Sequence, residues 1–236
     1  MILAGHQPEY LPYIGFFYKV ARADKFIFVD HVQFQKKGFK KEFFQNRNRI
    51  RTAPGSAGFT WLTVPVITRG KRFQRISEVE IDNSTDWGRK HWRTIFLNYK
   101  NTPFFKDYQD FFAQLYARRW GRLADLNETI ICYLFGQLEI KIPIHRSSDF
   151  NFKGAKTDLL VEMCRELKAD TYLSGVGAKA VGYVMEAEFK KQGLNHIFSD
   201  FQHPLYPQKY KPFVPNLSVI DLLFNCGRES IKIITR

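Results

Sequence analysis

Short apolar runs and helical stripes alternate over the first 30 residues. Residues 2–4 (ILA) and 25–30 (KFIFVD) form apolar runs that are typical of buried strands. Between them, residues 11–23 place apolar side chains at the spacing of one helical face. The order strand, helix, strand predicts a βαβ unit, whose strands run parallel and whose crossover is right-handed.

Helical patterns dominate the middle of the chain. Three stretches carry a broad apolar stripe at helical spacing, namely residues 85–100, 104–119 and 123–138. Ser84 stands where the first of these helices needs an N-cap, and Pro103 precedes the second. We interpret the segment at about 84–138 as a helical bundle inserted into the sheet.

Before this segment the pattern is β-rich. Residues 60–67 and 76–81 have the composition of strands, and a basic turn that contains Gly70 separates them. This arrangement predicts an antiparallel hairpin.

After residue 139, strand and helix patterns alternate again. They predict strands at 140–144, 171–175 and 196–201, and helices at 157–168 and 178–192. The closing motif LSVIDLLFNCG predicts a last helix, with Ser218 and Asp221 as a capping box and Gly227 at its end. The expected fold class is α/β: a mostly parallel sheet flanked by helices, with an antiparallel hairpin and an inserted helical bundle, in one domain spanning 1–236.

Polar side chains follow the first two predicted strands. His6 and Gln7 follow the first strand, and Asp30 and Gln33 follow the second. Ligands of open parallel sheets bind beyond the carboxyl ends of the strands, so these side chains are expected to face one crevice. A histidine beside a carboxylate supplies a general base and its orienting partner, which makes His6 and Asp30 candidate catalytic residues. The alternative is a histidine that only caps the backbone.

A second candidate lies in the segment QNRNRI. Asn46 and Asn48 alternate with Arg47 and Arg49, so that on an extended chain each residue type lines one face. Guanidinium and amide groups together suit a phosphate or a hydroxylated ligand, and Asn46, Arg47 and Asn48 are candidate substrate-binding residues. A solvated basic loop is the alternative.

Three further sets complete the candidates. Lys90 and His91 lie between tryptophans on a predicted helix. Burial there would lower the histidine pKa and make His91 a catalytic base. The alternative is a helix face that only packs aromatic rings. Ser174 and Gly175 precede a predicted helix in a glycine-containing loop that suits a phosphate. The remaining candidate binding residues are Tyr10 in the opening motif and His203, Tyr206 and Gln208 in the proline-rich stretch QHPLYPQ, for which packing on the core is the alternative.

Composition narrows the class of protein. The chain is 44% hydrophobic and 16% aromatic, which is typical of a globular protein, and its longest apolar run is too short to cross a membrane. The first residues lack an export signal, so we expect a cytoplasmic protein. Three cysteines without metal-ligand spacing argue against a metal site.

The charge is unusual. The sequence has 36 Lys and Arg against 23 Asp and Glu, a net charge of +13, and residues 36–51 contain seven basic residues and one acidic residue. Such a surplus predicts an anionic partner.

Several motifs resemble, in order, those of the WbqC-like family of bacterial proteins. They are HQPEYLPYIGFFYKVARADKFIFVDHVQFQKKGF, NRNRI, WLTVPV, KHW, LSG, HPLYPQ and LSVIDLLFNCG, and they extend over nearly the whole chain. The family pattern marks many of the same positions: His6, Gln7, Pro8, Asp30, Gln33, Asn46, Arg47, Asn48, Lys90, His91, Ser174, Gly175, His203, Tyr206, Gln208, Asp221 and Asn225.

This resemblance implies a role in lipopolysaccharide O-antigen or related surface-polysaccharide biosynthesis. It favours modification of an amino sugar that is held as a nucleotide diphosphate or in a lipid-linked form, and one interpretation is a transferase that moves an acyl or aminoacyl group to a nucleotide-linked amino sugar. We expect no tightly bound cofactor, with acyl-CoA or acyl carrier protein as a candidate donor. The basic segment suits an acidic acyl carrier protein as partner.

Other functions remain open at this stage. A nucleotidyltransferase-like enzyme would depend on ATP and Mg²⁺. A nucleic-acid-binding module would fit the charge, but the charge is concentrated in one loop and no RNP, KH or zinc pattern is present. Exposed aromatic residues would also suit a homodimer.

Overall fold

A five-stranded parallel sheet forms the centre of the computed structural model, which describes residues 1–35, 44–53, 57–177 and 185–236. The strands are β1 (Ile2–His6), β2 (Lys25–Phe28), β3 (Arg47–Arg51), β4 (Phe59–Thr63), β5 (Ile144–Arg146), β6 (Thr171–Ser174) and β7 (Asn195–Phe198). The order in the large sheet is β5-β2-β1-β6-β7, and β3 and β4 form a separate antiparallel pair.

The described helices lie between and after these strands. They are α1 (Ile14–Val20), α2 (Trp87–Tyr99), α3 (Phe105–Ala117), α4 (Leu123–Gln137), α5 (Thr157–Glu166), α6 (Glu186–Lys191), α7 (Val219–Cys226) and α8 (Ser230–Thr235). Short 3-10 helices are formed by Ile76–Glu78, Ser147–Asp149 and Gly227–Glu229.

The predicted βαβ unit is confirmed. β1 and β2 pair in parallel with Leu3 opposite Lys25, and α1 connects them. β6 pairs with the other edge of β1, and the chain reaches it from β5 at the far edge of the sheet, so the strand order switches direction between β1 and β6. Such a switch point opens a crevice at the carboxyl ends of the strands, where ligands of this class of fold bind.

Both faces of the large sheet are covered. Side chains alternate along β1 and β2, so that Ala4 and Phe26 join the core with α1–α4 and α7, whereas Leu3 and Ile27 pack with α5. A sheet buried on both faces explains why these strands read as continuous apolar runs in the sequence.

The antiparallel pair is present but has other members than predicted. β4 overlaps the predicted strand at 60–67, yet its partner is β3, with Arg49 opposite Trp61. Residues 76–81 contain a 3-10 helix and two isolated bridges, from Ile81 to Val66 and from Glu80 to Arg122. The buried side chains of Ile76 and Val79 are three residues apart, a spacing that a helical turn accommodates and a two-residue alternation does not.

Two predicted helix caps also differ. The N-cap of α2 is Asp86, whose carboxylate accepts from the Arg89 N–H, and not Ser84. Ser218 does cap α7 through the Ile220 N–H, but Asp221 bonds to distant side chains and forms no capping box.

Other boundaries shift by a few residues. The strand predicted at 140–144 is β5, which begins at Ile144. Of the helix predicted at 178–192, residues 178–184 lie outside the described part of the chain, and the described remainder contains α6.

Candidate active site

A cavity of about 570 Å³ opens at the carboxyl ends of β1 and β6. Its described lining is Gly5, His6, Gln7, Glu9, Tyr13, Lys19, Val29, Val32, Gln33, Gln35, Phe44, Leu159, Leu160, Tyr172, Ser174, Gly175 and Gly177. Its size is typical of a site for a small molecule. The cavity brings together His6, Gln7, Gln33, Ser174 and Gly175 from the sequence-based candidates.

The loop after β1 is held by contacts from distant elements. Asn127 on α4 is fully buried, and its Nδ2 donates to Pro8 O at 3.0 Å and to Gln45 O at 2.7 Å. Asn48 on β3 donates to Leu11 O at 2.6 Å. Helix α4 and strand β3 therefore position the loop that follows His6.

The His6 ring is held neutral. Its Nδ1 lies 3.0 Å from the Gln7 carbonyl oxygen, which can only accept, so Nδ1 carries the proton and Nε2 the lone pair. Burial, followed by the positive charge of Lys19, lowers the pKa of His6 to about 3. The edge of Phe16 packs against the ring, with centroids 4.9 Å apart. His6 therefore presents a proton acceptor in the cavity.

Sequence reasoning missed two ionisable residues in this cavity, Glu9 and Lys19. Glu9 is 12% exposed at its side chain, and its Oε1 lies 3.9 Å from His6 Nδ1. Burial raises the pKa of Glu9 to about 8, an effect that the charge of Lys19 partly offsets.

Lys19 is more deeply buried, at 2% exposure, and its Nζ donates to Gly5 O at 2.8 Å. Burial lowers its pKa to about 7, and the nearby Glu9 partly offsets this shift. Both residues carried a signal in the sequence, because Glu9 belongs to the opening motif HQPE and Lys19 interrupts the apolar run of α1. Buried ionisable groups gathered in one cleft are typical of active sites.

Amide and hydroxyl groups complete the cavity wall. Gln7 Oε1 accepts from Gln45 Nε2 at 2.6 Å, and Gln45 Oε1 accepts from the Gln35 N–H at 2.9 Å. Ser174, at the end of β6, lies with its Oγ 2.8 Å from His196 Nε2. These groups provide hydrogen bonds to a polar ligand without adding charge.

Asp30 does not meet His6 in this arrangement. Its buried carboxylate accepts from Ser147 Oγ at 3.0 Å and from the Ser148 N–H at 2.9 Å. Ser147 Oγ in turn contacts His31 Nδ1 at 2.6 Å. Asp30 is not among the described residues that line the cavity, and its contacts fasten the chain after β5 to the end of β2.

His91 lies in a separate buried cluster. Its Nδ1 is 2.8 Å from Tyr10 Oη, and Tyr10 also contacts Tyr116. Burial lowers the pKa of His91 to about 4, and a hydrogen bond to the Thr63 backbone partly offsets this. His91 and Tyr10 are outside the described cavity lining, and Lys90 is exposed on α2.

The predicted alternation in the segment NRNRI is present in β3. Asn48 is fully buried, and Asn46 Nδ2 donates to Val64 O at 2.9 Å. On the other face, the Arg47 guanidinium lies 3.6 Å from the centre of the Trp61 ring. Arg49 lines a smaller cavity of about 230 Å³ together with Tyr13, Phe44 and Asn216.

The two cavities share a wall, because Tyr13 and Phe44 line both of them. These rings stack with centroids 6.4 Å apart, and Phe44 stacks in turn on Trp61 at 6.1 Å. An aromatic wall with Arg49 behind it therefore borders the His6 cavity.

The candidate residues of the proline-rich stretch form hydrogen bonds within the protein. Tyr206 Oη and Gln208 Nε2 donate to Asp221 Oδ2 at 2.8 and 3.0 Å, and Tyr99 Oη donates to Asp221 Oδ1 at 2.9 Å. His203 Nε2 accepts from the Asn216 N–H at 3.0 Å. None of the three candidates, His203, Tyr206 and Gln208, is among the described residues of the His6 cavity.

Fold and site together define a class of protein: a parallel α/β protein with a polar cavity at its strand-end crevice. The chain belongs to the WbqC-like protein family, whose sequence model matches residues 7–233. It is 34% identical over 226 residues to a protein of Mycobacterium tuberculosis named "Uncharacterized protein Rv1507c", covering 95% of this chain and 93% of that protein.

No solved structure matches the chain significantly. In the parts of the chain that the structure describes, no helix has both the length and the apolar character to cross a membrane.

Proposed function

We propose that this chain is a transferase that moves an acyl or aminoacyl group to the amine of a nucleotide-linked amino sugar in surface-polysaccharide biosynthesis. The observation that carries the proposal is the cavity at the strand-end crevice, which brings together Glu9, Lys19 and the neutral ring of His6. Its volume is suited to a sugar, and its Gln7, Gln33 and Ser174 side chains are suited to sugar hydroxyl groups. Membership of the WbqC-like family supports the same reading.

The proposed step is attack of the sugar amine on the carbonyl carbon of a thioester donor. The new C–N bond forms as the C–S bond breaks, and the amine proton passes to His6 Nε2 and then to the departing thiolate. The products are an amide and a free thiol, so atoms and charge balance. Acyl-CoA and acyl carrier protein both supply such a thioester.

The hydrogen bonding of His6 leaves Nε2 free to take this proton, because the ring is neutral before the reaction. Its low pKa makes it a weak base, and it also makes the imidazolium a strong acid that passes the proton on to the thiolate. The imidazolium that forms lies beside Glu9, whose carboxyl oxygen is 3.9 Å from Nδ1.

The nucleotide would extend towards the smaller cavity. Arg49 there suits a diphosphate, and Arg47 on Trp61 remains a candidate for the same group. Asn46 and Asn48 already bond to backbone carbonyl groups and act in this proposal by holding the loop.

The test is a coupled binding and turnover assay. The purified chain is titrated with nucleotide-linked amino sugars, and acylation is then followed by mass spectrometry with acyl-CoA and with acyl carrier protein. We expect His6→Gln to keep sugar binding and to lower kcat by about 10²–10⁴-fold, the usual contribution of a general base.

The matched control is His145→Gln, because His145 lies on β5 outside the described cavity lining. Wild-type turnover in His6→Gln would remove His6 from the mechanism. No binding of any nucleotide-linked sugar, with activity that depends on ATP and Mg²⁺, would instead identify a nucleotidyltransferase.

A further inference from the structure

Glu9 has an unusual environment among the polar groups of the cavity. Its Oε2 is buried and has no hydrogen-bond partner among the described residues. Its Oε1 is 3.9 Å from His6 Nδ1, which is beyond hydrogen-bond distance, and the proton on that nitrogen points to Gln7 O. A buried carboxyl group without donors is unfavourable, and because Glu9 lines the cavity, a ligand there can donate to this carboxyl group.

The neighbours of Glu9 restrict which ligand group fits. Lys19 is the cation whose charge acts on Glu9, but its Nζ is already bonded to Gly5 O and does not form an ion pair within 4 Å of Glu9 among the described residues. Gln7 Oε1 and the Gln35 backbone N–H are engaged with Gln45. The vacant acceptor on Glu9 therefore suits a donor brought by the ligand.

From this arrangement we infer that Glu9 is the residue that recognises the ligand's primary amine and makes the cavity select an amino sugar over the corresponding hydroxy sugar. This inference rests on the proposed function, because it assigns the specificity of the same site. An ammonium group brings a positive charge and three N–H donors to a desolvated carboxylate, whereas a hydroxyl brings one donor and no charge.

The cavity tolerates the added charge because Lys19 gives up its proton readily. Burial has already lowered the pKa of Lys19 to about 7. When an ammonium group pairs with ionised Glu9, neutral Lys19 leaves the cavity with no net charge from these three groups. Before the attack, the bound ammonium gives one proton to the Glu9 carboxylate, which leaves the neutral amine that the proposed step needs. His6, the proposed acceptor of the second proton, lines the same cavity.

The expected selectivity follows from the strength of a charged hydrogen bond. The binding free energy of such a bond should make the Kd of the amino sugar about tenfold to hundredfold lower than that of the hydroxy sugar. Glu9→Gln keeps the shape of the side chain and removes its ability to ionise when an ammonium group binds, so the preference should fall to less than about threefold, while the affinity for the hydroxy sugar stays unchanged.

The experiment is isothermal titration calorimetry with matched pairs of UDP-, dTDP- and GDP-linked sugars, in which each amino sugar is compared with its hydroxy counterpart. Wild type, Glu9→Gln and the control Glu229→Gln are compared. Glu229 is an exposed carboxylate that pairs with Lys232 outside the cavity, so its variant removes one negative charge and should retain the amine preference. Thermal unfolding verifies that each variant is folded, and Glu9→Asp, which keeps the charge, should retain part of the preference if Glu9→Gln does not fold.

The outcomes separate the inference from the proposed function. Equal binding of both members of a pair to wild type would overturn the role of Glu9 and leave sugar binding standing. A preference that survives in Glu9→Gln would also overturn it. Failure of wild type to bind any nucleotide-linked sugar would overturn the proposed function and this inference with it.

Discussion

The neutral state of His6 can be tested without any substrate, by removing one of the two causes that lower its pKa. The shift of the His6 pKa from the ordinary value of 6.5 to about 3 means that the folded protein disfavours the protonated ring by about 5 kcal/mol relative to a histidine in water. Burial is the larger cause, and the charge of Lys19 comes next. In Lys19→Met the second cause is absent and the first remains, so we expect the pKa of His6 to rise but to stay below 6.5.

The assay is an NMR titration of the histidine ring C–H signals, with the His6 signal assigned from its loss in His6→Gln. In wild type the His6 signal should stay constant between about pH 5 and 8, where an ordinary histidine titrates. Because the pKa of His6 in the folded state lies below its unfolded value, this group stabilises the fold above pH 6.5, and that contribution is lost as the pH falls towards 3. A wild-type signal that titrates near 6.5, or a pKa that Lys19→Met leaves unchanged, would refute the electrostatic account of the site.

Three further predictions concern what holds the site in place. Arg51→Lys should lower the free energy of unfolding in urea by roughly 2–4 kcal/mol, because the buried guanidinium donates to four backbone carbonyl groups that an ammonium cannot all reach; a change below about 1 kcal/mol would contradict this. Gly58→Ala should lower the melting temperature more than the control Gly70→Ala. Both glycines have a positive φ, but only at Gly58 does an added Cβ meet Arg51, so equal shifts in melting temperature would exclude that clash. Burial raises the pKa of Asp221 to about 6, so its contribution to stability is largest at low pH and falls by about 3 kcal/mol as the pH rises from about 4 to above 6. Urea unfolding of Asp221→Asn at both pH values should lack this dependence. An unchanged pH dependence in the variant would exclude Asp221 as its source.

Local patterns were sufficient for most of the secondary structure. The apolar runs of β1 and β2 and the stripe of α1 specified the βαβ unit, because a strand buried on both faces and an amphipathic helix leave different periods in the sequence. Pairing was harder to predict. The partner of β4 is β3, whose polar sequence NRNRI lacks the apolar pattern of a strand. β3 is stabilised by contacts with β4, such as the stacking of Arg47 on Trp61.

The candidate site shows the same division. His6, Gln7, Gln33, Ser174 and Gly175 were predicted from their positions at strand ends, and they line the cavity because parallel strands deliver their carboxyl ends to one edge. His91 was predicted from its place between tryptophans, and it is buried with a lowered pKa as expected, but it bonds to Tyr10 outside the described cavity lining. Tyr206 bonds to Asp221 in the core and also lies outside that lining.

The sequence by itself therefore determined the α/β class and the edge of the sheet at which polar groups gather, because both follow from local period and strand direction. Only the tertiary structure decided which ionisable groups are buried and what each one faces. Burial and hydrogen-bond partners set the pKa of a side chain, and both depend on residues distant in sequence. Glu9 and Lys19 illustrate this, because their shared cavity forms only when β1, α1 and β6 come together.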